Sequence, residues 1–344
     1  MSSGQNPLVG LACGEAFRGR DAGCLDSRLH DLFEFPLVLP FSVAKQEKHQ
    51  RQDEELSVTR QVELRGLAQP SLRDFPYVMP ELAEVEYYRR RWEPFLGSTV
   101  SRVKIHEGNR IFRDCDPVDL ARSLPGRKFN EARRHGKRML FRFGDDGWLS
   151  IHLGMAGKLM AEPSPDFELH KHDHLVIYLD NGVLIFRDTR YFGLVGWQLT
   201  QAEPSWWLNR GPDLLAANYK WKDLAASITR RKRSPLKSVL LDQDLFPGVG
   251  NWMADEILWR AALYPGRKGE SLQEREMKRL YKALREVCKD ALRVIAPDWS
   301  KPPDTWLFNH RWRDGGTCPK TGEPLRRIQV GGRTTCYSPA RQGS

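Results

Sequence analysis

Pro80 and Glu81 are the residues of this chain with the most chemistry to offer, on one condition. A proline inside a polypeptide has a tertiary amide nitrogen and no nucleophilic lone pair. A proline at a free N-terminus is a secondary amine, able to attack an electrophilic carbon and form an iminium ion. Glu81 beside it could then exchange protons with the amine and the reacting group. Since 79 residues precede Pro80, the expectation is that translation starts at Met79 and that loss of this methionine exposes Pro80. Proteolytic removal of residues 1–79 is the alternative route. With neither, amine chemistry at Pro80 is impossible.

Three further groups carry chemistry. Gly248-Val249-Gly250-Asn251 reads as a turn leading into a helix, where free N–H groups favour a phosphate. Asn251 there is either an ordinary helix cap or a phosphate donor. The tract Arg230–Arg233 with Lys237, and Arg327 and Arg333 near the C-terminus, tilt the reading toward a nucleic-acid backbone. Lys137 follows a glycine at the entrance to a strand, which keeps its ammonium accessible; a solvated surface lysine is the plainer alternative. Finally, Met155 lies in His152-Leu153-Gly154-Met155-Ala156-Gly157, and Arg190 and Phe192 lie in Asp188-Thr189-Arg190-Tyr191-Phe192-Gly193. On loops, an apolar side chain, an aromatic and an arginine are the parts needed to open a base stack and hold the abandoned partner. Core packing accounts equally well for Met155 or Phe192 taken singly.

The elements that must position these groups are legible from pattern. Leu82, Val85, Tyr88 and Trp92 recur at helical spacing until Pro94 and Gly97. Strands are expected at Thr99–Ile105, Arg138–Phe143, Trp148–Leu153, Leu175–Leu179 and Val183–Phe186, the last two joined by Asp180-Asn181-Gly182. Many short strands after one helix suggest a β-sandwich or barrel. A helical half follows: Asp242–Phe246, Trp252–Ala262, and a long helix from Ser271 with Glu274 completing a capping box. Lysine and arginine number 54 against 44 acids, a net charge of +10, which suits a polyanionic partner without requiring one. The six cysteines are scattered, with no CxxC, and read as reduced thiols. There is no apolar run of membrane-spanning length and no signal-peptide pattern, so a soluble intracellular protein is expected, cytoplasmic and nucleoid-associated if bacterial.

Together these segments resemble the formamidopyrimidine-DNA glycosylase/endonuclease VIII family, from Met79 almost to the C-terminus. PELAEVE is similar to the family's PELPEVE, with Ala83 where proline is usual; Gly136-Lys137, HLGMAG, DTRYFG and LLDQDLFPGVGNWMADE follow in the family's order. The resemblance implies an α+β fold of two domains: an N-terminal β-sandwich with an N-terminal helix, and a C-terminal helical domain with a helix–two-turn–helix and a β-hairpin finger. The expected divisions are a poorly ordered extension at 1–78, the catalytic sandwich at 79–198, a linker at 199–230, the DNA-binding helices at 231–300 and the finger at 301–344. By resemblance Pro80 is the nucleophile at C1′ of the damaged nucleotide, Glu81 the proton-transfer acid, Glu84 a second acidic residue of the site, and Lys137 a phosphate-contacting lysine. Met155, Arg190 and Phe192 replace the flipped nucleotide, while His152, Lys237, Asn251 and Arg333 contact DNA.

The commoner bacterial finger holds zinc through four cysteines in two CxxC pairs. Here Cys318 stands at the first position, but Thr321, Ser338 and Arg341 fall on the others, and Cys336 is out of register. No metal is therefore expected, nor any cofactor, and the segment resembles the zincless finger of plant-type members. The implied activity is a DNA glycosylase and abasic-site lyase acting on oxidised purines in double-stranded DNA, as a monomer. Two rivals are a non-catalytic damaged-DNA-binding protein, if residues 1–79 are retained, and an endonuclease VIII-like enzyme for oxidised pyrimidines. The short stretch between Ala296 and Trp306 leaves little room for a long loop over 8-oxoguanine, so formamidopyrimidines and further-oxidised guanines are expected to outrank it.

Overall fold

The computed structural model describes residues 79–106, 110–164 and 166–343; the expectation for residues 1–78 lies outside them. Helix α1 spans Leu82–Trp92 and is fastened at its start by the Glu81 N–H, which donates to Glu84 Oε2 at 3.1 Å. This is half of a capping box, a device that satisfies donors the first helical turn leaves free. The helix serves two cores. Leu82 and Ala83 enter a helical core, while Val85, Tyr88 and Trp92 enter a sandwich core. Whatever Pro80 and Glu81 do, they do it at the junction of the two.

The sandwich core lies between two four-stranded antiparallel sheets. One is ordered β1 (Val100–Ile105), β6 (Asp173–Leu179), β7 (Gly182–Asp188), β5 (Gly157–Glu162). The other is ordered β2 (Phe129–His135), β3 (Arg138–Phe143), β4 (Gly147–His152), β8 (Leu194–Leu199). Alternation decides which side chains face inward. Met139, Phe141 and Phe143 of β3 point into the core beside Leu149, Ile151 and Trp197, whereas Leu140 packs on the outer face with Trp148 and Trp207. The Asp180–Gly182 hairpin closes as expected, with Leu179 opposite Gly182. Strands β2, β5 and β8 escape the sequence reading. In β2 the signal is masked by charge: Arg133 lies over the rings of Trp148 and Trp207 at 5.3 and 5.7 Å, an aromatic cover that a hydropathy pattern does not register.

Beyond the sandwich come a short helix α2 (Pro117–Ser123) within the first domain, α3 (Ser205–Leu208), α4 (Trp221–Arg230), α5 (Leu236–Leu240), α6 (Asn251–Ala261) and α7 (Glu274–Val294). Leu224 and Ile228 of α4 are part of the helical core, so the stretch read as a linker contributes packing of its own. The helix expected at Asp242–Phe246 is displaced. Pro235 precedes α5 and fixes its start, and Asp242–Phe246 runs as turns with Leu245 and Phe246 buried. Helix α7 begins later than expected, with Gln273 as its cap and the Gln273 N–H donating to Glu276 Oε2 at 2.9 Å. Its apolar stripe, Leu280, Leu284, Val287 and Ala291, continued by Ile295 just past its end, is buried. The finger is a two-stranded hairpin, β9 (Arg326–Val330) and β10 (Arg333–Tyr337), followed by the short α8 (Pro339–Gln342).

Candidate active site and nucleic-acid interface

Glu81 is almost wholly buried, and its carboxylate lies against the amino end of α6. Oε2 accepts from the Gly250 N–H at 2.9 Å and the Met253 N–H at 3.1 Å, and Oε1 accepts from the Trp252 N–H at 2.9 Å. A residue from α1 thus caps a helix about 170 positions away, supplying the acceptor that the first turn of α6 lacks and placing negative charge at its positive end. Asn251 does not cap this helix; Gly250 holds the cap position and Asn251 is the first helical residue. Gly250 is needed for room. A Cβ there would fall 2.2 Å from Glu81 Cδ, although its φ of −122° is open to any residue. The same closeness recurs one turn away: the Leu82 N–H donates to Gly248 O at 3.0 Å, and a Cβ on Gly248 would meet Leu82 Cδ1 at 2.6 Å.

Glu84 is buried beside this pair. Its Oε1 accepts from the indole Nε1–H of Trp252 at 3.1 Å. Burial pushes the Glu84 carboxyl up to about 8, and the negative charge of Glu81 pushes the same way. Burial raises Glu81 too, but the Lys137 ammonium and the amides of Trp252 and Met253 oppose it. Both carboxyls of this coupled pair are raised, so the pair holds a proton at neutral pH. Burial in turn lowers Lys137, and the two glutamates pull it back toward the charged form. The only sequence signal for Trp252 is its place in the GVGNWMADE run.

Lys137 occupies the two-residue turn between β2 and β3. Gly136 in that turn has a φ of +56°, and a Cβ there would lie 2.8 Å from Pro247 Cβ, so the hairpin presses on the loop before α6. The charge of Arg333 reaches Lys137, and Arg333 is exposed at the start of β10 next to the Gly331-Gly332 turn. Asn251 Nδ2 donates to Thr334 O at 3.1 Å, while Asn251 Oδ1 is buried without a partner among the described residues. Lys137, Asn251 and Arg333 therefore converge around the Pro80–Glu81 end of α1, and Pro80 itself is buried there.

Lys237 must be corrected. Its side chain is fully buried, and its ammonium donates to Asn251 O at 2.6 Å and to Asp255. Asp255 also accepts from Arg311 Nη2 at 2.6 Å and from the Cys336 N–H at 3.0 Å. Lys237 has no surface to offer DNA; it belongs to a buried charge knot that ties α5 and α6 to the finger. The Arg230–Arg233 tract, by contrast, is exposed.

The loop carrying Met155 and the loop carrying Arg190 and Phe192 lie against each other. Met155 is half-buried in the turn between β4 and β5, and Phe192 is 43% exposed on the loop between β7 and β8. A Cβ on Gly154 would lie 2.4 Å from the Phe192 carbonyl carbon, so the two loops touch backbone to backbone. Asp188 is buried and accepts from the Arg190 and Gly193 N–H groups at 2.9 and 2.7 Å, folding the second loop into a tight turn. Tyr191 within it has a φ of +59°, costly for a residue with a side chain, and its ring packs 4.8 Å from that of His174. The guanidinium of Arg190 lies 5.4 Å from the Phe192 ring. His152 is half-buried; its Nδ1 accepts from the Gly154 N–H at 3.1 Å, and burial with Arg138, Lys137 and Arg113 nearby holds it down to about 4. It is a neutral imidazole at neutral pH.

The finger's residues do not fit zinc. Cys318 is buried, and its sulfur accepts from the Trp259 Nε1–H at 3.3 Å. Burial raises this thiol, but bonds from Thr321, Trp259, Ser338 and the Lys320 amide outweigh it and bring the group to about 7. Arg341 donates instead to the carbonyls of Trp259 and Arg260 at 2.8 and 3.1 Å. Burial pushes Cys336 up to about 12. One thiol, two hydroxyls and a guanidinium are not a tetrahedral donor set.

Comparison with known proteins agrees with this arrangement. The family model described as the formamidopyrimidine-DNA glycosylase N-terminal domain matches residues 79–195, and that of the formamidopyrimidine-DNA glycosylase H2TH domain matches residues 210–298. The chain is 37% identical over 278 residues to a formamidopyrimidine-DNA glycosylase of Thermus thermophilus, covering 77% of this chain and 99% of that one. Against the Arabidopsis thaliana formamidopyrimidine-DNA glycosylase it is 32% identical over 278 residues, 77% of this chain and 71% of that one. The solved structure of Lactococcus lactis Fpg with DNA containing an oxidised pyrimidine superposes with a TM-score of 0.70 at 28% identity, covering 77% of this chain and all of that one.

Proposed function

The chain belongs to the formamidopyrimidine-DNA glycosylase family, and we propose that it excises oxidised purines from double-stranded DNA and then cuts the abasic strand, using the amine of Pro80. The observation that carries this reading is the burial of Glu81 in the amide cradle of α6 immediately beside Pro80, with Lys137 against it.

In this reading Lys137, Asn251 and Arg333 hold the phosphates around the lesion, while Met155, Arg190 and Phe192 fill the gap left by the flipped nucleotide. The Pro80 nitrogen forms a bond to C1′. The C1′–base bond breaks, its electron pair leaves with the base, and a proton is delivered to the departing base. The amine proton passes to Glu81; the nitrogen lone pair then forms the C1′=N bond as the C1′–O4′ bond breaks, O4′ takes up a proton, and the ring-opened C1′ iminium remains. The iminium acidifies the 2′ hydrogen; its removal expels the 3′ phosphate, and a second elimination expels the 5′ phosphate. Water then hydrolyses the imine. Glu81, held by three N–H groups beside the Lys137 charge, can take and return protons without leaving its place. Glu84, carrying a proton at neutral pH, keeps a second negative charge from forming beside it.

This chemistry needs a free Pro80 nitrogen. Support for a functional form beginning after Met79 comes from the family match, which itself begins at residue 79. The domain divisions given above are retained as part of this proposal, with α4 packing on the helical domain. No described helix is long and apolar enough to cross a membrane, and we place the enzyme as a monomer in the compartment that holds DNA, the cytoplasm if bacterial. The zincless character of the finger is likewise proposed, on the donor set described.

Borohydride reduction on abasic-site duplexes tests the mechanism. The form beginning at Met79 should give a covalent protein–DNA adduct, and the form retaining residues 1–79 should give none. An adduct from the long form would locate the amine elsewhere. A second reading, oxidised pyrimidines as substrates, is favoured by the oxidised-pyrimidine DNA held by the Lactococcus relative; single-lesion duplexes rank the two.

A further inference from the structure

A cleft of about 530 Å³ runs from Lys137, His152 and Phe192, which the reading above places on DNA, to Trp206, Arg210 and Asp244, which it leaves unused. Its walls come from the β2–β3 hairpin, the stretch around α3 and the loop before α6. Lys137, Arg113, Arg138 and Arg210 line it, and Asp244 is the one carboxylate among the lining residues. The two histidines of the lining, His135 and His152, are both lowered by burial and nearby arginines, so neither adds charge at neutral pH. An anion is the ligand such a cleft favours.

Cations alone would suit a bare phosphate, but the cleft also has an aromatic floor. Trp206 is half-buried and its face is flanked by the guanidinium of Arg138 at 5.3 Å. Trp207, nearly buried, holds Arg210: the guanidinium lies 4.8 Å from the Trp207 ring and donates to the Trp207 carbonyl. These rings fix two arginines that are otherwise exposed. A half-buried aromatic face among positive charges is the composition of sites that stack unpaired bases while tracking their phosphates.

We propose that this cleft seats one unpaired nucleotide of the damaged strand, next to the phosphate held by Lys137, with Trp206 under the base and Arg138 and Arg210 on the phosphate. The inference rests on the DNA-repair reading above and adds a substrate preference: lesions flanked on one side by an unpaired nucleotide, as at a nick, flap or bubble.

The test uses three abasic-analogue DNAs: a fully paired duplex, and two carrying one unpaired nucleotide on the 5′ or the 3′ flank of the site. Wild type should bind one of the flanked DNAs about tenfold more tightly than the paired duplex, within the range for a base stacked on an aromatic side chain. Trp206→Ala should erase that gain and Trp206→Phe should keep part of it. Arg210→Ala should lower the slope of log affinity against log salt by about one on the favoured DNA. Arg138→Ala gives the same readout independently should Arg210→Ala fail to fold. Equal binding of all three DNAs by wild type, or a gain that survives Trp206→Ala, overturns the proposal. Failure of wild type to bind any of the three would instead remove the repair reading beneath it.

Discussion

Gly250→Ala is the sharpest probe of how the site is built. The backbone at this position tolerates alanine, so the substitution acts only through its methyl group, which would sit 2.2 Å from Glu81 Cδ and 2.5 Å from Cγ and Oε1. Carbon atoms in contact need about 3.5 Å, so the carboxylate must retreat by about 1 Å. The three N–H bonds it accepts, at 2.9, 2.9 and 3.1 Å, cannot all survive that movement. A buried hydrogen bond to a charged group is worth about 1.5–3 kcal/mol. Loss of two therefore costs about 3–6 kcal/mol, a large part of a domain's usual stability. Glycine to alanine at a helix cap costs no more than about 1 kcal/mol by itself. A double-mutant cycle separates the terms: in a Glu81→Ala background, Gly250→Ala should cost that smaller amount, leaving a coupling of about 2 kcal/mol or more. Chemical denaturation gives the stabilities, and borohydride trapping should fall about a hundredfold from a displacement of this size. Additive losses in the cycle, or wild-type trapping by Gly250→Ala, would refute the reasoning.

Because the Glu84 carboxyl is raised from 4.5 to about 8, the folded state keeps a proton that the unfolded state has released, and stability should decline as pH rises through that window. Denaturation midpoints between pH 5 and 8 check this, and Glu84→Gln should flatten the decline. Lys237→Ala leaves Asp255 buried with a cation missing and should destabilise by about 3–5 kcal/mol. It should leave the salt dependence of DNA binding intact, whereas Lys137→Ala should lower that slope by about one. In the finger, Cys318→Ala removes the acceptor for Trp259 and should lower the melting midpoint, while a chelator should leave wild-type melting unmoved. A midpoint that falls with chelator would mean that a metal is held after all.

Much of this protein could be read along the chain. The α1 stripe, the β6–β7 hairpin, the apolar face of α7 and the wedge loops all rest on local rules: a helical period, a turn signal, glycines bounding a loop. Where local rules were outvoted, tertiary contact was the reason. Strand β2 is hidden from the hydropathy pattern because Trp148 and Trp207, which cover Arg133, lie elsewhere in sequence. Helix α5 starts where Pro235 and its packing dictate, not at the acidic turn that follows.

Sequence alone determined the family and those elements that local rules govern, because motif spacing and hydropathy are properties of neighbours along the chain. Only the folded molecule decided which residues are free to act. Lys237 and Lys137 both read as DNA-contacting lysines, yet Lys237 is sealed under Asp255 and Lys137 lines a cleft. Glu81 reads as a lone acid beside a proline until α6, some 170 residues on, brings three N–H groups to its carboxylate. Burial and long-range hydrogen bonds set charge and accessibility, and both arise only when distant segments are packed together.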